Sequence, residues 1–100
     1  MTDLRKSARG QECSVRIPGV CIHTGPSVIL AHIRTPGTGV GRQPHDMEAV
    51  IACGPCHDAI GDGSERRLDR LGYTHYVLRA LIVTGRVWRD LGLVMVKGEE

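Results

Sequence analysis

Ala49-Val50-Ile51-Ala52-Cys53-Gly54-Pro55-Cys56-His57-Asp58 decides how this chain folds. Its apolar start has the length of a short strand, Gly54-Pro55 is a turn signal between two cysteines, and a helix is expected to follow, opening on His57-Asp58. Two thiolates flanking a tight turn suit one metal ion, because the turn points both sulfurs inward. His57 leaves that knuckle in another direction and is left for a second task.

Upstream, Ser27 to Ile33 is a β-branched, apolar run of strand length, and Met47 to Ala52 is a second. Between them, Arg34 to Pro44 holds three glycines and two prolines. The two strands are therefore expected to form a hairpin with a long basic tip. Gly37-x-Gly39-x-Gly41 in that tip opens no helix, which argues against a nucleotide-binding fingerprint. Nearer the N-terminus, Thr2 or Asp3 can cap a short helix through Ala8 that ends at Gly10. Cys13 and Cys21 then flank seven residues in which Val15 and Ile17 alternate with polar neighbours and Pro18-Gly19 turns the chain, predicting a small hairpin or knuckle.

Downstream, the helix after Cys56 is expected to stop near Ile60, where Gly61-Asp62-Gly63-Ser64 breaks it. A second helical segment is predicted from Glu65 to Leu71, ended by Gly72. Thr74 would cap the longest helix, His75 to Leu91, with Gly92 just beyond its end. Val77, Leu81, Thr84, Trp88 and Leu91 recur at helical spacing, widened by Ala80, Val83 and Val87, and predict a core-facing side. Arg79, Arg86, Arg89 and Asp90 fall largely opposite. The apolar face is broad enough to allow a homodimer through this helix. Leu93 to Val96 is expected to be a short strand, and the last four residues to fray.

One hundred residues bound a single domain, with a core over about 11–61 and a helical extension over about 65–92. The chain has no Phe and only three Trp and Tyr residues, so its core is modest and a metal staple would help it. The polar start Met1-Thr2-Asp3-Leu4-Arg5-Lys6 leads into no apolar export segment, and no run approaches the roughly 18 residues of a membrane span. A cytoplasmic location follows as an expectation, and reduced thiols there favour metal over disulfides. Net charge is only +2, but from Arg5 to Arg42 there are six basic residues against one acid, Glu12. That one-sided field suits a phosphate-backbone partner. Arg34 and Arg42 in the loop would contact phosphates, and Arg5, Lys6 and Arg9 would extend the surface.

Cys13, Cys21, Cys53 and Cys56 together make a four-thiolate set. Such a set is closed to substrate, so the zinc it implies is structural and pins hairpin to helix. His32, inside an apolar strand just before the basic loop, stands opposite the helix that begins with His57. A strand histidine facing a helix-start histidine resembles the ββα-metal nucleases, and that resemblance implies that one imidazole takes a proton from water. A hard cation held by the other stabilises phosphate oxygens and the leaving 3′ oxygen. Of the other histidines, His23 and His45 also lie between the cysteine pairs, and His75 starts the long helix.

The ordered layout Cys…Cys…Ala-His-Ile…Asp…Cys-x2-Cys-His resembles the HNH endonuclease family. Asp3-Leu4-Arg5-Lys6, Val15-Arg16-Ile17-Pro18-Gly19-Val20-Cys21, Leu30-Ala31-His32-Ile33-Arg34 and Ile51-Ala52-Cys53-x2-Cys56-His57-Asp58 narrow it to the small YbcO-like nucleases of prophages. The resemblance covers about the first 60 residues well and the C-terminal helix only in kind. It implies an α+β fold with a zinc-pinned ββα-metal core, treble-clef-like, and a C-terminal helical extension. It makes His32 the general base, His57 a ligand of a catalytic Mg²⁺ or Mn²⁺, and the four cysteines the ligands of structural Zn²⁺. Asp46 falls where such proteins place their middle polar residue, as a catalytic residue or cation ligand, with Glu48 its rival. The position before the base, which many HNH enzymes fill with Asp or His, is Ala31.

The expected function is metal-dependent hydrolysis of DNA. The alternative is a catalytically silent zinc module that binds nucleic acid or a phage recombination partner, and Ala31 supports it. A thiol oxidoreductase using Cys53-x2-Cys56 is disfavoured, since two further cysteines sit at ligand-like positions without a thioredoxin-like βαβ pattern.

Overall fold

The apolar run before Cys53 becomes the buried strand on which the other elements are set. In the computed structural model, which describes residues 3–33, 45–61 and 69–98, the order is α1 (Asp3–Ser7), β1 (Ile29–His32), β2 (Ala49–Ala52), α2 (Gly54–Ile60) and α3 (Arg70–Asp90). The architecture is α+β: one two-stranded antiparallel sheet with helices packed against it. The expected loop from Arg34 to Pro44, with Arg34 and Arg42, lies outside the described residues.

β2 is buried at all four positions, which explains its unbroken apolar composition: α3 lies against it on one side and β1 pairs with it on the other. The register sets Ile29 opposite Ala52, Leu30 opposite Ile51, Ala31 opposite Val50 and His32 opposite Ala49, and Ile33 N–H donates to the Glu48 carbonyl at 2.8 Å. Strand alternation puts His32 and Leu30 on one face and Ala31, 1% exposed, on the other.

Two hydroxyls close the outer edge of β2. Ile51 N–H donates to Thr84 Oγ1 at 3.0 Å, and the Ile51 carbonyl accepts from both the backbone N–H and the hydroxyl of Ser14, at 2.8 and 2.6 Å. The single Ser14 proton is thereby used, so the 3.1 Å contact between Ser14 Oγ and Thr84 Oγ1 is donated by Thr84. Each hydroxyl in this buried cluster is partnered, as the cost of an orphaned buried polar group requires.

Several expectations change. The Cys53–Cys56 turn is the first turn of α2: Cys53 is the N-cap, and Pro55 sits in the first turn, where its missing N–H costs nothing. Ser27 Oγ, from far back in sequence, accepts the Gly54 N–H at 3.1 Å and serves as the cap. The predicted break at Gly72 and cap at Thr74 are both overturned. Asp69 caps α3 by accepting from Gly72 N at 2.7 Å, Gly72 lies inside the helix, and Thr74 bonds back to the Arg70 carbonyl at 2.9 Å. A cap five residues upstream of Thr74 lets the helix run through the glycine's cost of about 1 kcal/mol. The segment expected from Glu65 falls mostly at residues 62–68, outside the described residues, and its last residues, Arg70 and Leu71, belong to α3.

At the other end Gly92 has φ +75°, its N–H donates to Arg89, and Leu93 N–H donates back to Trp88, a Schellman ending as the sequence implied. Of the predicted core face, Val77, Ala80, Thr84 and Trp88 are buried. Leu81 is 36% and Leu91 50% exposed, because the contact with β2 is narrower than the apolar stripe. Leu93 to Val96 form no strand; β2's outer edge is already taken by Ser14 and Thr84. The segment from Cys13 to Cys21 is no hairpin but takes the knuckle alternative: Val20 and Cys21 N–H both donate to the Ile17 carbonyl around Pro18-Gly19, with Val15 and Ile17 buried and Gly19 at φ +76°.

Candidate metal centre and histidine site

The four cysteines converge. Every Sγ of Cys13, Cys21, Cys53 and Cys56 lies within 4.8 Å of the others, with Cys53 and Cys21 at 4.0 Å, and all four are free thiols. Among the described residues they are the one group of three or more potential ligands close enough to share an ion. Three are buried and Cys21 is half-buried. The backbone works toward the same end: His23 N–H donates to Cys21 Sγ at 3.2 Å, Ile22 and Cys56 direct theirs to Cys53, and Ile17 to Cys56. N–H groups aimed at sulfur stabilise thiolate and orient it toward a cation. Two of the turns that achieve this hold non-glycine residues in the left-handed region, Arg16 at φ 54° and His23 at φ 66°.

Without an ion the cluster is electrostatically frustrated. Burial pushes the Cys21 and Cys56 thiols up, and the Cys13 sulfur beside them adds to the effect. At Cys53 burial is opposed by the N–H donors of Ile22 and Cys56, which together hold its thiol below the ordinary range. Four sulfurs this close cannot all ionise unless a cation takes up the charge. The donor set fits a metal ion.

His32 lies apart from that centre, at the C-terminal end of β1 in a cleft of about 460 Å³ lined by Arg5, Arg9, Pro26, Val28, Ile29 and Leu30. Its Nε2 is 2.8 Å from Asp46 Oδ1, and both side chains are largely buried. The same Oδ1 accepts from Arg5 Nε at 3.1 Å. An ionised carboxylate only accepts, so Nε2 carries the proton and the imidazole lone pair is on Nδ1. β1 positions His32, α1 supplies Arg5, and the turn entering β2 supplies Asp46, shaped by Glu48 N–H to the His45 carbonyl and His45 N–H to Glu48 Oε2, both 2.8 Å. Glu48, the rival for Asp46's place, is exposed and used in that turn.

His57 sits on α2 with a 45% exposed side chain, and its Nδ1 is 3.9 Å from Asp58. It is not among the residues lining the His32 cleft. His57 and Asp46, expected to share a cation, belong to no common ligand group of three or more among the described residues. Lys6 is exposed on α1 outside the cleft. The sequence reading missed the tie from Arg5 to Asp46, the Ser14–Thr84 lock and the Ser27 cap. Each joins residues more than 25 positions apart, and no local pattern announces it.

Comparison with known proteins covers nearly the whole chain. Residues 2–93 match the profile of the family described as "Putative nuclease YbcO". The chain is 43% identical over 95 residues to the protein of that name from Escherichia coli K12, across 94% of this chain and 98% of the relative. It is as similar, over the same shares, to the counterpart from Enterobacteria phage 82. A solved structure described as a putative bacteriophage protein from Escherichia coli K-12 MG1655 superposes with a TM-score of 0.72 at 39% identity, across 90% of this chain and all of that one. With four clustered thiols, a partnered histidine and this likeness along its length, the chain belongs to the YbcO family.

Proposed function

We propose that this chain is an endonuclease of the HNH type that hydrolyses phosphodiester bonds in DNA, built on a ββα-metal core pinned by structural zinc. The observation that carries the reading is the 2.8 Å hydrogen bond from His32 to Asp46 inside a cleft walled by Arg5 and Arg9. The names of its relatives, putative nucleases from a bacterium and a phage, point the same way.

In this reading the arginines draw a backbone phosphate into the cleft. Asp46 holds the His32 ring and takes its Nε2–H, leaving Nδ1 to accept a proton from water. The new bond joins that water oxygen to phosphorus, the bond to the 3′ oxygen breaks, and the departing oxygen regains a proton through solvent. Tetrahedral zinc–sulfur bonds of about 2.3 Å set sulfurs about 3.8 Å apart, close to the spacing at Cys53 and Cys21, which supports zinc as the clustered ion. Its work is structural.

The expected Mg²⁺ or Mn²⁺ ligands do not fit as a set. Asp46 Oδ1 already takes two donors, one a guanidinium that a cation would displace, and His57 offers a single exposed imidazole.

Plasmid nicking by the zinc-loaded protein, with and without added Mg²⁺ or Mn²⁺, tests the proposal. Wild type should nick DNA, and His32→Ala should lose at least about 100-fold, in the range of a lost general base, while keeping its zinc. A second reading, a silent zinc module that binds nucleic acid or a phage recombination partner, is favoured by Ala31, a buried apolar residue where many HNH enzymes place a ligand. Folded wild type that binds DNA but leaves duplex, single-stranded and branched forms intact would establish it instead.

A further inference from the structure

We propose that Arg5 is a positioning residue for His32, acting through Asp46, so that the N-terminal helix is part of the site. Its catalytic consequence rests on the nuclease reading; its structural consequence does not.

The helix bearing Arg5 cannot hold itself in place. α1 has five residues, far fewer than an isolated helix needs in water. Tertiary contacts seat it instead. Ala8, just after it, is fully buried, and Leu4 packs partly on the core. Ser7 anchors it to α3: its hydroxyl donates to the Leu4 carbonyl at 2.6 Å and accepts from the buried Trp88 Nε1 at 2.9 Å. The guanidinium that meets Asp46 is thus placed through a contact that spans 81 positions in sequence.

The geometry at Asp46 gives that placement a purpose. One oxygen, Oδ1, receives both Arg5 Nε–H and His32 Nε2–H. Asp46 is 9% exposed, and a carboxylate in such surroundings keeps its charge only with a cationic or donor partner. Arg5 therefore aligns Asp46 by holding the very oxygen that His32 uses, and Asp46 in turn fixes which nitrogen of His32 is basic. A residue that merely held phosphate would have no such effect on the ring.

Proton-coupled ¹⁵N spectra of histidine-labelled, zinc-loaded protein at pH 8, above the ordinary imidazole range, read the tautomer directly. Wild type should show His32 as Nε2–H; a predominantly Nδ1–H or mixed ring in wild type overturns the proposal with no variant needed. R5Q should give a mixed ring, R5K should restore Nε2–H by keeping the charge, and K6Q, which removes the same charge one residue away, should leave the ring as in wild type. In nicking assays R5Q should lower kcat about 10-fold or more with a smaller change in KM, whereas K6Q should act on KM. R5Q with an unchanged ring and an effect on KM alone overturns the proposal. Wild type that does not cut DNA overturns the nuclease reading instead, and the spectra still decide the role of Arg5.

Discussion

His23 shows how local strain serves the thiol cluster. A β-carbon in the left-handed region costs about 1 kcal/mol, yet the chain accepts that conformation at φ 66° because it aims the His23 N–H at Cys21 Sγ. The side chain itself is exposed. Glycine there should keep the N–H while shedding the strain, and part of that gain is offset by the greater freedom of an unfolded glycine. His23→Gly is expected to stabilise the metal-loaded protein by about 0.5 kcal/mol in denaturant titrations. Arg16→Gly should show no such gain. Arg16 shares the conformation, but its side chain donates to the Cys13 carbonyl at 3.1 Å and to Glu12 at 2.9 Å. Equal gains at both positions would refute the strain argument.

Between elements, the decisive junction is the edge of β2 against α3. Thr84 lies on the apolar face of its helix and reads as one more core residue, yet its hydroxyl is spent on a strand N–H and on Ser14. Replacing it with the nearly isosteric valine keeps the volume and orphans the Ile51 N–H. Thr84→Val should therefore cost about 2 kcal/mol, and Thr84→Ser far less. Urea unfolding of the metal-loaded protein checks this, with the valine midpoint shifted and its slope unchanged. A valine variant as stable as wild type would mean that the lock contributes nothing.

For the molecule as a whole, the thiol cluster is able to couple folding to a metal ion and to protons. Burial holds the Cys21 and Cys56 thiols above their usual range, so both are protonated at neutral pH in the metal-free fold. The sign follows from that. In the metal-free chain their contribution is complete below the ordinary thiol range near 9 and is lost as pH rises through the raised values. An ion reverses the dependence, because binding must expel those protons, so affinity falls as pH falls. Zinc added to metal-free protein in weak buffer should release protons, and a chelator should remove order from the Cys13–Cys21 turns together with α2. Binding without proton release would contradict the thiol assignment. Among the described residues no helix is long and apolar enough to cross a membrane.

Much of this was legible in the residues themselves. The four cysteines, the strand before Cys53, the stop near Ile60 and the Gly92 cap are short-range consequences of residue type, since turns, caps and apolar runs are set by neighbouring dihedrals. The start of α3 was not legible: Gly72 is a breaker by propensity, and the Asp69 cap overrides it. Nor was the exposure of Leu81 and Leu91, which depends on how much of the helix β2 can cover. The histidine site divides the same way. His32 stood out in sequence as a polar residue in an apolar strand, while its partnership with Asp46 and Arg5 spans 14 and 27 positions and exists only once α1 has docked. Sequence by itself determined which side chains are able to carry chemistry, because that is a property of the residue. Tertiary structure alone decided which of them act together, because a hydrogen bond forms between groups the fold has brought within about 3 Å, whatever their distance along the chain.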